Sequence, residues 1–144
     1  MEDFVLADTN VVSYLFKKDT RGSVYKPHIE HKLVFIAAQT FAEIELLPLN
    51  NKWSRKRHEK LRENLKNYVF IEASREISVK WAEIQAEARK KGKPVSVGDA
   101  WIAATALIYN IPLVTHNPDD FKNIFGLKII TEKHWFIFQK WLGR

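Results

Sequence analysis

Four carboxylates in this chain lie where an apolar run ends and a helix is predicted to begin: Asp8, Glu43, Asp99 and Asp120. Asp8 directly follows a run that has the composition of a buried strand. An acidic side chain in that position must be solvated, paired or bound to a metal, because burying an unpaired charge is very costly. If the fold gathers all four groups, their mutual repulsion requires a hard cation.

Each of these acids, taken alone, is better explained as part of a helix cap. Short polar side chains at helix starts satisfy free backbone N–H groups, and acids in the first turn interact well with the helix dipole. The segments that fit this explanation are the capping box Thr40 to Glu43, its aspartate variant Ser96 to Asp99, and the single residues Asp8 and Asn117. Four acids at one predicted edge are nevertheless more than capping requires.

The elements that must position these acids follow from the spacing of apolar residues. The predicted strands are Phe4–Ala7, Leu33–Ala38, Tyr68–Ile71, Leu113–Thr115 and Leu127–Ile130, and the predicted helices are Asn10–Phe16, Thr40–Leu47, Ser54–Asn67, Ser74–Lys91 and Ser96–Tyr109. Strands that alternate with helices imply right-handed crossovers and a mostly parallel sheet covered on both faces. Ligands bind beyond the carboxyl ends of such strands, so one edge could hold all four acids.

Composition predicts one globular domain over residues 1–144, since 46% of the 144 residues are apolar and no linker or repeat interrupts them. The aromatic segment at about 131–144 is predicted to be a helix that packs either on the core or on a partner. The apolar runs are too short to span a membrane and no secretory leader is evident, so we expect a cytoplasmic protein. The absence of cysteine excludes disulfides and thiolate metal sites.

The net charge of +6 and pI of about 9.5 favour a polyanionic partner. The densest basic run is Lys52–Arg62. Within it, an RNA-binding face is predicted from Trp53, Arg55, Lys56 and Arg57, with the tryptophan available to stack on a base. A solvated helix is an equally good explanation, because glutamates are interspersed in the run.

The motifs together resemble the PIN domain family and, more narrowly, the VapC-type toxin ribonucleases of toxin–antitoxin pairs. The resemblance runs from about residue 4 to about residue 130. The segments that carry it are Asp8-Thr-Asn10 with Ser13-Tyr-Leu15, then Glu43, then Asp99-Ala-Trp-Ile-Ala-Ala104-Thr-Ala106, and finally Thr115-His-Asn117-x-x-Asp120-Phe121. It implies a three-layer α/β/α sandwich, an endoribonuclease dependent on one or two Mg²⁺ or Mn²⁺ ions, a homodimer, and a small antitoxin that blocks the site.

Asp8, Glu43 and Asp99 match the three acids of this family pattern, whereas the fourth position could be filled by Asn117, Asp119 or Asp120. We favour Asp120, with Asn117 as a polar partner of substrate or water. The adjacent Asp119 has no assigned role. A tRNA or ribosomal RNA is the kind of substrate that the resemblance suggests.

The chemistry predicted for this site is phosphodiester hydrolysis by metal-activated water. Asp8 and Asp99 are the first-choice metal ligands, Glu43 could bind a metal or orient the water, and Asp120 would complete the shell of a second ion. Supporting contacts are predicted from Thr9, Asn10, Thr115 and Asn117. The alternatives are a housekeeping PIN-type nuclease in RNA processing and a catalytically silent RNA-binding module.

The histidines are not predicted to be catalytic. His28 and His31 are spaced one helical turn apart but lack a third ligand, so we interpret them as surface polar residues. His116 lies beside the proposed site and could contact phosphate.

Overall fold

The computed structural model describes residues 3–133, in which strands and helices alternate along the chain. The strands are β1 (Phe4–Ala7), β2 (Leu33–Ala37), β3 (Val69–Ile71), β4 (Leu113–Val114) and β5 (Ile129–Ile130). The helices are α1 (Thr9–Phe16), α2 (Thr20–Ser23), α3 (Lys26–Ile29), α4 (Ala38–Asn50), α5 (Arg55–Leu65), α6 (Arg75–Lys91) and α7 (Val97–Tyr109), with a 3₁₀ turn at Pro118–Asp120.

The five strands form one sheet in the order β3-β2-β1-β4-β5, and every neighbouring pair is parallel. β1 is therefore central, with Leu6 in register with Phe35 on one side and with Leu113 on the other. Because all strands run the same way, their carboxyl ends meet at one edge of the sheet. The prediction of a mostly parallel sheet is confirmed.

Helices cover both faces of this sheet, as the alternation of side chains along a strand requires. Leu6 points into a core formed with α6 and α7, whereas Val5 and Ala7 point into a second core formed with α1, α4 and α5. The predicted three-layer α/β/α sandwich is confirmed. In the described part of the chain, no helix is long and apolar enough to cross a membrane.

The start of α4 differs from its prediction. The helix begins at Ala38 directly after β2, and its N-cap, Ala37, makes no side-chain cap bond. Thr40 is buried inside the helix, with its hydroxyl 3.1 Å from that of Thr9. The capping-box interpretation of Thr40 and Glu43 is therefore wrong, because the helix starts two residues before Thr40, directly after the buried strand.

The cap interpretation of Ser96 is confirmed, because its side chain accepts a hydrogen bond from the backbone N–H of Asp99 at 3.1 Å. Sequence reasoning missed the short helices α2 and α3, and Asp19 caps the first of them. The aromatic helix predicted near the C-terminus falls almost entirely on residues 134–144, which lie outside the described residues.

Candidate active site

An open cleft of about 310 Å³ lies beyond the carboxyl ends of β1 and β4. Its walls come from segments far apart in sequence, since crossover helices return each strand to the same edge. The lining residues are Asp8, Thr9, Asn10, Ser13, Tyr14, Glu43, Leu47, Asp99, Asn117 and Asp120. All four acids of the sequence motif thus share one cleft, as do Thr9, Asn10 and Asn117.

Asp8 is the most deeply placed of the four acids, with a relative exposure of 5%. It directly follows β1 and caps α1. Its Oδ1 accepts a hydrogen bond from the N–H of Thr9 at 2.8 Å. Oδ2 accepts from the hydroxyl of Thr115 at 2.6 Å. Burial, with smaller contributions from the charges of Asp99 and Glu43, raises the pKa of Asp8 to about 6, although these two hydrogen bonds lower it.

Thr115 connects Asp8 to the loop that follows β4. Its fully buried hydroxyl also accepts from the backbone N–H of Asn117 at 3.0 Å. The side chain of Asn10 accepts from the backbone N–H of His116 at 3.2 Å, so α1 and this loop are bound to each other directly. These bonds fix the direction in which the loop presents its polar side chains to the cleft.

The buried side chain of Tyr25 contacts the same loop. Its hydroxyl lies 2.6 Å from Nδ1 of His116 and accepts from the backbone N–H of Glu132 at 3.1 Å. Of the two histidines predicted as surface residues, His28 pairs with the Glu132 carboxylate at 2.6 Å. His31 lies past the end of α3 with a φ of 63°, so the two are not neighbours on a helix.

Asp99 and Glu43 face each other across the contact of α7 with α4. Burial raises the pKa of Asp99 and the charges of Asp120 and Glu43 add to this rise, while a hydrogen bond with Ser96 opposes it. Glu43 Oε1 accepts from the side-chain amide of Gln39 at 2.8 Å. Two carboxyl groups are thus held beside other negative groups, the condition that a bound cation relieves.

Gly98 permits this approach of α7 to α4. A β-carbon at this position would lie 3.0 Å from Nε2 of Gln39 and 3.2 Å from Oε1 of Glu43. Sequence reasoning did not assign a role to either Gly98 or Gln39. A glycine in the first turn of a predicted helix was the available signal, since glycine there weakens the helix unless close packing needs it.

The structure distinguishes Asn117 and Asp120, as candidates for the fourth position of the site, from Asp119. Asn117 and Asp120 both line the cleft. Asp119 is exposed and lies 3.6 Å from the Lys122 ammonium and 3.9 Å from that of Lys133. Its carboxylate therefore interacts with lysines rather than with the other acids.

The donor set of the cleft suits a hard divalent cation. Carboxylate and amide oxygens dominate, and Mg²⁺ typically takes one or two carboxylates and keeps several waters. Within residues 3–133, no three acidic or histidine side chains converge closely enough to enclose one ion. An ion bound here by one or two carboxylates would take its remaining ligands from water and phosphate oxygens.

The predicted RNA-binding run differs in detail from its prediction. Trp53 stacks on Phe16, with ring centroids 5.8 Å apart, and the Arg57 guanidinium lies 3.7 Å from the centre of its ring. Arg55 pairs with Glu59 at 3.2 Å on the exposed side of α5. The indole thus packs within the protein, and the binding role of Trp53, Arg55, Lys56 and Arg57 stays a prediction.

A family model for the PIN domain matches residues 5–126. The chain belongs to the PIN domain family. This PIN domain is 27% identical over 131 residues to the ribonuclease VapC1 of Methanocaldococcus jannaschii. The alignment covers 89% of this chain and 88% of that relative.

Solved structures show the same PIN fold. The VapBC2 structure from Rickettsia felis, bound to a DNA fragment from its promoter, matches with a TM-score of 0.79 at 23% identity, covering 89% of this chain and 98% of that one. A toxin–antitoxin complex from Klebsiella pneumoniae matches with a TM-score of 0.72 at 23% identity, covering 88% and 96%. The PIN architecture thus extends over nearly the whole of these chains.

Proposed function

We propose that this PIN domain is a metal-dependent endoribonuclease, acting as the toxin of a toxin–antitoxin pair. The observation that carries the proposal is the single cleft in which Asp8, Glu43, Asp99 and Asp120 meet. The similarity to the VapC1 ribonuclease supports cleavage of RNA as the reaction. Mg²⁺ or Mn²⁺, as one or two ions, fits the oxygen donors of the cleft.

Asp8 and Asp99 would be the main metal ligands, and Asp120, which lines the same cleft, would complete the shell of a second ion. Glu43 would bind a metal or orient the attacking water. The hydroxyl of Thr115 keeps Asp8 oriented and favours its ionised form. When bound, a divalent ion supplies Lewis-acid polarisation of the phosphate and lowers the pKa of water to that of a usable nucleophile.

Thr9, Asn10 and Asn117 are the polar groups that would contact phosphate or water around this centre, since all three line the cleft. His116 does not line it: its ring packs edge-on against Tyr14 and Tyr25, and burial lowers its pKa. The contacts of this imidazole with two tyrosines are consistent with a structural role.

An antitoxin is the protein partner that the proposal implies, because the solved neighbours include a toxin–antitoxin complex. The protein would act on tRNA or ribosomal RNA in the cytoplasm as a homodimer. Exposed apolar side chains on α4 and β3 support such an interface, namely Phe41, Leu46, Leu49, Val69 and Phe70. Sedimentation equilibrium of the protein without antitoxin tests the dimer.

The experiment that tests the activity is incubation of antitoxin-free protein with total cellular RNA in Mg²⁺ or Mn²⁺, followed by sequencing of the new RNA ends. Discrete ends are expected with the wild type and not with chelator or with Asp99→Asn. Asp119→Asn is the matched control, because it removes a neighbouring exposed carboxylate that lies outside the cleft. Cleavage that survives Asp99→Asn would refute the proposed centre.

Expression in a host tests the biological role. Growth arrest that a co-expressed small partner relieves is expected of a toxin. Harmless expression of a protein that cleaves RNA in vitro would indicate an RNA-processing nuclease instead.

A further inference from the structure

A second groove, of about 560 Å³, lies at the far end of α1 from the acidic cleft. Five of its seven lining residues are cationic, and no acid is among them. The residues are Phe16, Lys17, Lys18, Ser54, Lys56, Arg57 and Lys60. We refer to this surface as the basic groove.

The cations of the basic groove are not neutralised within the described part of the chain, where none of the five forms an ion pair. Neighbouring arginines of α5 are different, since Arg55 and Arg62 pair with glutamates. The nearby carboxylate of Asp19, whose pKa is lowered mainly by its hydrogen bonds to Arg21, pairs with the Arg21 guanidinium at 2.7 Å rather than with Lys17. Like charges gathered in a concave surface create a positive potential that attracts an anion.

Packed side chains form the base of the groove. Phe16, Trp53 and the guanidinium of Arg57 form a continuous stack between the end of α1 and the first turn of α5. Ser54 caps α5 by accepting from the N–H of Arg57 at 3.2 Å. The positive end of the α5 dipole therefore opens at the groove and adds to the lysine charges.

The basic groove and the acidic cleft adjoin along α1. Ser13 and Tyr14 line the cleft, whereas Phe16 and Lys17 line the groove. At 1.5 Å per residue, the whole helix measures about 12 Å. A strand of RNA with one phosphate in the cleft can therefore reach the groove within a few nucleotides.

We propose that the basic groove binds the phosphates of single-stranded RNA flanking the cleaved bond. This inference rests on the proposed ribonuclease function. It assigns RNA binding to only part of the predicted basic run. Lys56 and Arg57 line the groove, whereas Trp53 packs against Phe16 and Arg57.

An acidic protein segment is the competing occupant. Protein interfaces have apolar side chains at their centre, surrounded by polar groups. Among the described residues, none of the large apolar side chains that are exposed lines this groove. A surface with charges but no exposed apolar anchor, on the same helix as the proposed catalytic cleft, favours a polyanion bound through its backbone.

The test compares two triple variants with equal change in net charge, made in the Asp99→Asn protein so that RNA survives. One removes groove charges with Lys17→Gln, Lys56→Gln and Lys60→Gln. The other, on the opposite side of the sheet, carries Lys90→Gln, Lys91→Gln and Lys93→Gln. The probes are fluorescent oligouridylates of about 16 and about 4 nucleotides, a range typical of single-strand binding sites. Fluorescence anisotropy gives Kd at several salt concentrations.

For single strands, each phosphate contact contributes about −0.7 to the slope of log K against log salt. Loss of three contacts is expected to reduce the slope by about 2 for the longer probe. At 0.15 M salt this corresponds to a rise in Kd of up to about 50-fold, relative to a 1 M reference. The control triple variant is expected to show little change, and the shorter probe, which can place fewer phosphates in the groove, is expected to show a smaller change than the longer one.

Equal Kd and slope for the two triple variants with the longer probe would overturn the proposal. Poly-glutamate serves as a third probe in the same assay. If the groove variant loses binding to poly-glutamate while its Kd for RNA is unchanged, the groove is assigned to an acidic protein segment. A Lys→Arg triple variant at the three groove positions, with the charges kept, guards against misfolding and is expected to bind RNA normally. Absence of cleavage by the wild type in Mg²⁺ would refute the ribonuclease proposal, and this assay is independent of the binding measurements.

Discussion

Replacing Asp8 with asparagine is expected to stabilise the metal-free protein while abolishing cleavage. The carboxylate is buried at the carboxyl end of β1 without a cationic partner among the residues described, and burial raises its pKa from 3.8 to about 6. An acid whose pKa is higher in the folded than in the unfolded state destabilises the fold once it is ionised.

The sign and size of this effect follow from the two pKa values. Between about pH 4 and pH 6 the folded protein binds more protons at Asp8 than the unfolded chain does, so the free energy of unfolding falls as pH rises and levels off above about 6. At 1.36 kcal/mol per unit, the full cost is about 3 kcal/mol. Asparagine has a single side-chain oxygen, so it cannot accept from both the N–H of Thr9 and the hydroxyl of Thr115, and the lost hydrogen bond offsets this gain by about 1 kcal/mol. The net gain is about 2 kcal/mol, or about 8 °C in Tm for a chain of this size.

Urea denaturation in chelator, followed by the fluorescence of the five tryptophans, measures this difference at pH 4, 5 and 7. The advantage of Asp8→Asn is expected to appear as pH rises through this range. Added Mg²⁺ is expected to stabilise the wild type and so to narrow the gap. Asp119→Asn, on an exposed carboxylate, is the control. An Asp8→Asn protein that is less stable at pH 7, or whose advantage is the same at every pH, would refute the reasoning.

Three further substitutions test the surroundings of the cleft. Thr115→Val removes the 2.6 Å hydrogen bond that lowers the pKa of Asp8, so the acid limb of the pH–rate profile is expected to move to higher pH. Gly98→Ala places a β-carbon 3.2 Å from Glu43 Oε1 and is expected to lower kcat, with stability changed by less than about 1 kcal/mol because alanine favours the helix. Tyr25→Phe removes a buried hydroxyl that bonds an imidazole nitrogen and a backbone N–H, and urea denaturation is expected to show a loss of about 1–3 kcal/mol.

The elements with a strong local signal were predictable from the sequence. β1 and β2 are apolar runs, and the long helices α6 and α7 start at serine caps, so their bounds agree with the prediction within one residue. The start of α4 was not predictable in this way, because alanines 37 and 38 carry no cap signal. Helices of four residues, such as α2 and α3, are too short to show a period.

The candidate site was predictable in its residue types but not in its geometry. That Asp8, Glu43, Asp99 and Asp120 belong to one edge follows from parallel strands and crossover helices. That Thr115 bonds Asp8, or that Trp53 packs on Phe16, depends on the pairing of segments distant in sequence. Such contacts are fixed by tertiary packing, which local pattern does not encode.

The central position of β1 affects when during synthesis the cleft can form. β1 pairs with β4, so Asp8 acquires its bond to Thr115, 107 residues further along the chain, only after that segment has emerged from the ribosome. Pairings of such long sequence separation form slowly, because the intervening chain must lose entropy before the contact stabilises anything. A nascent chain of this protein therefore carries its acids on separate elements, without a common cleft, until the segment around Asp120 has joined the sheet.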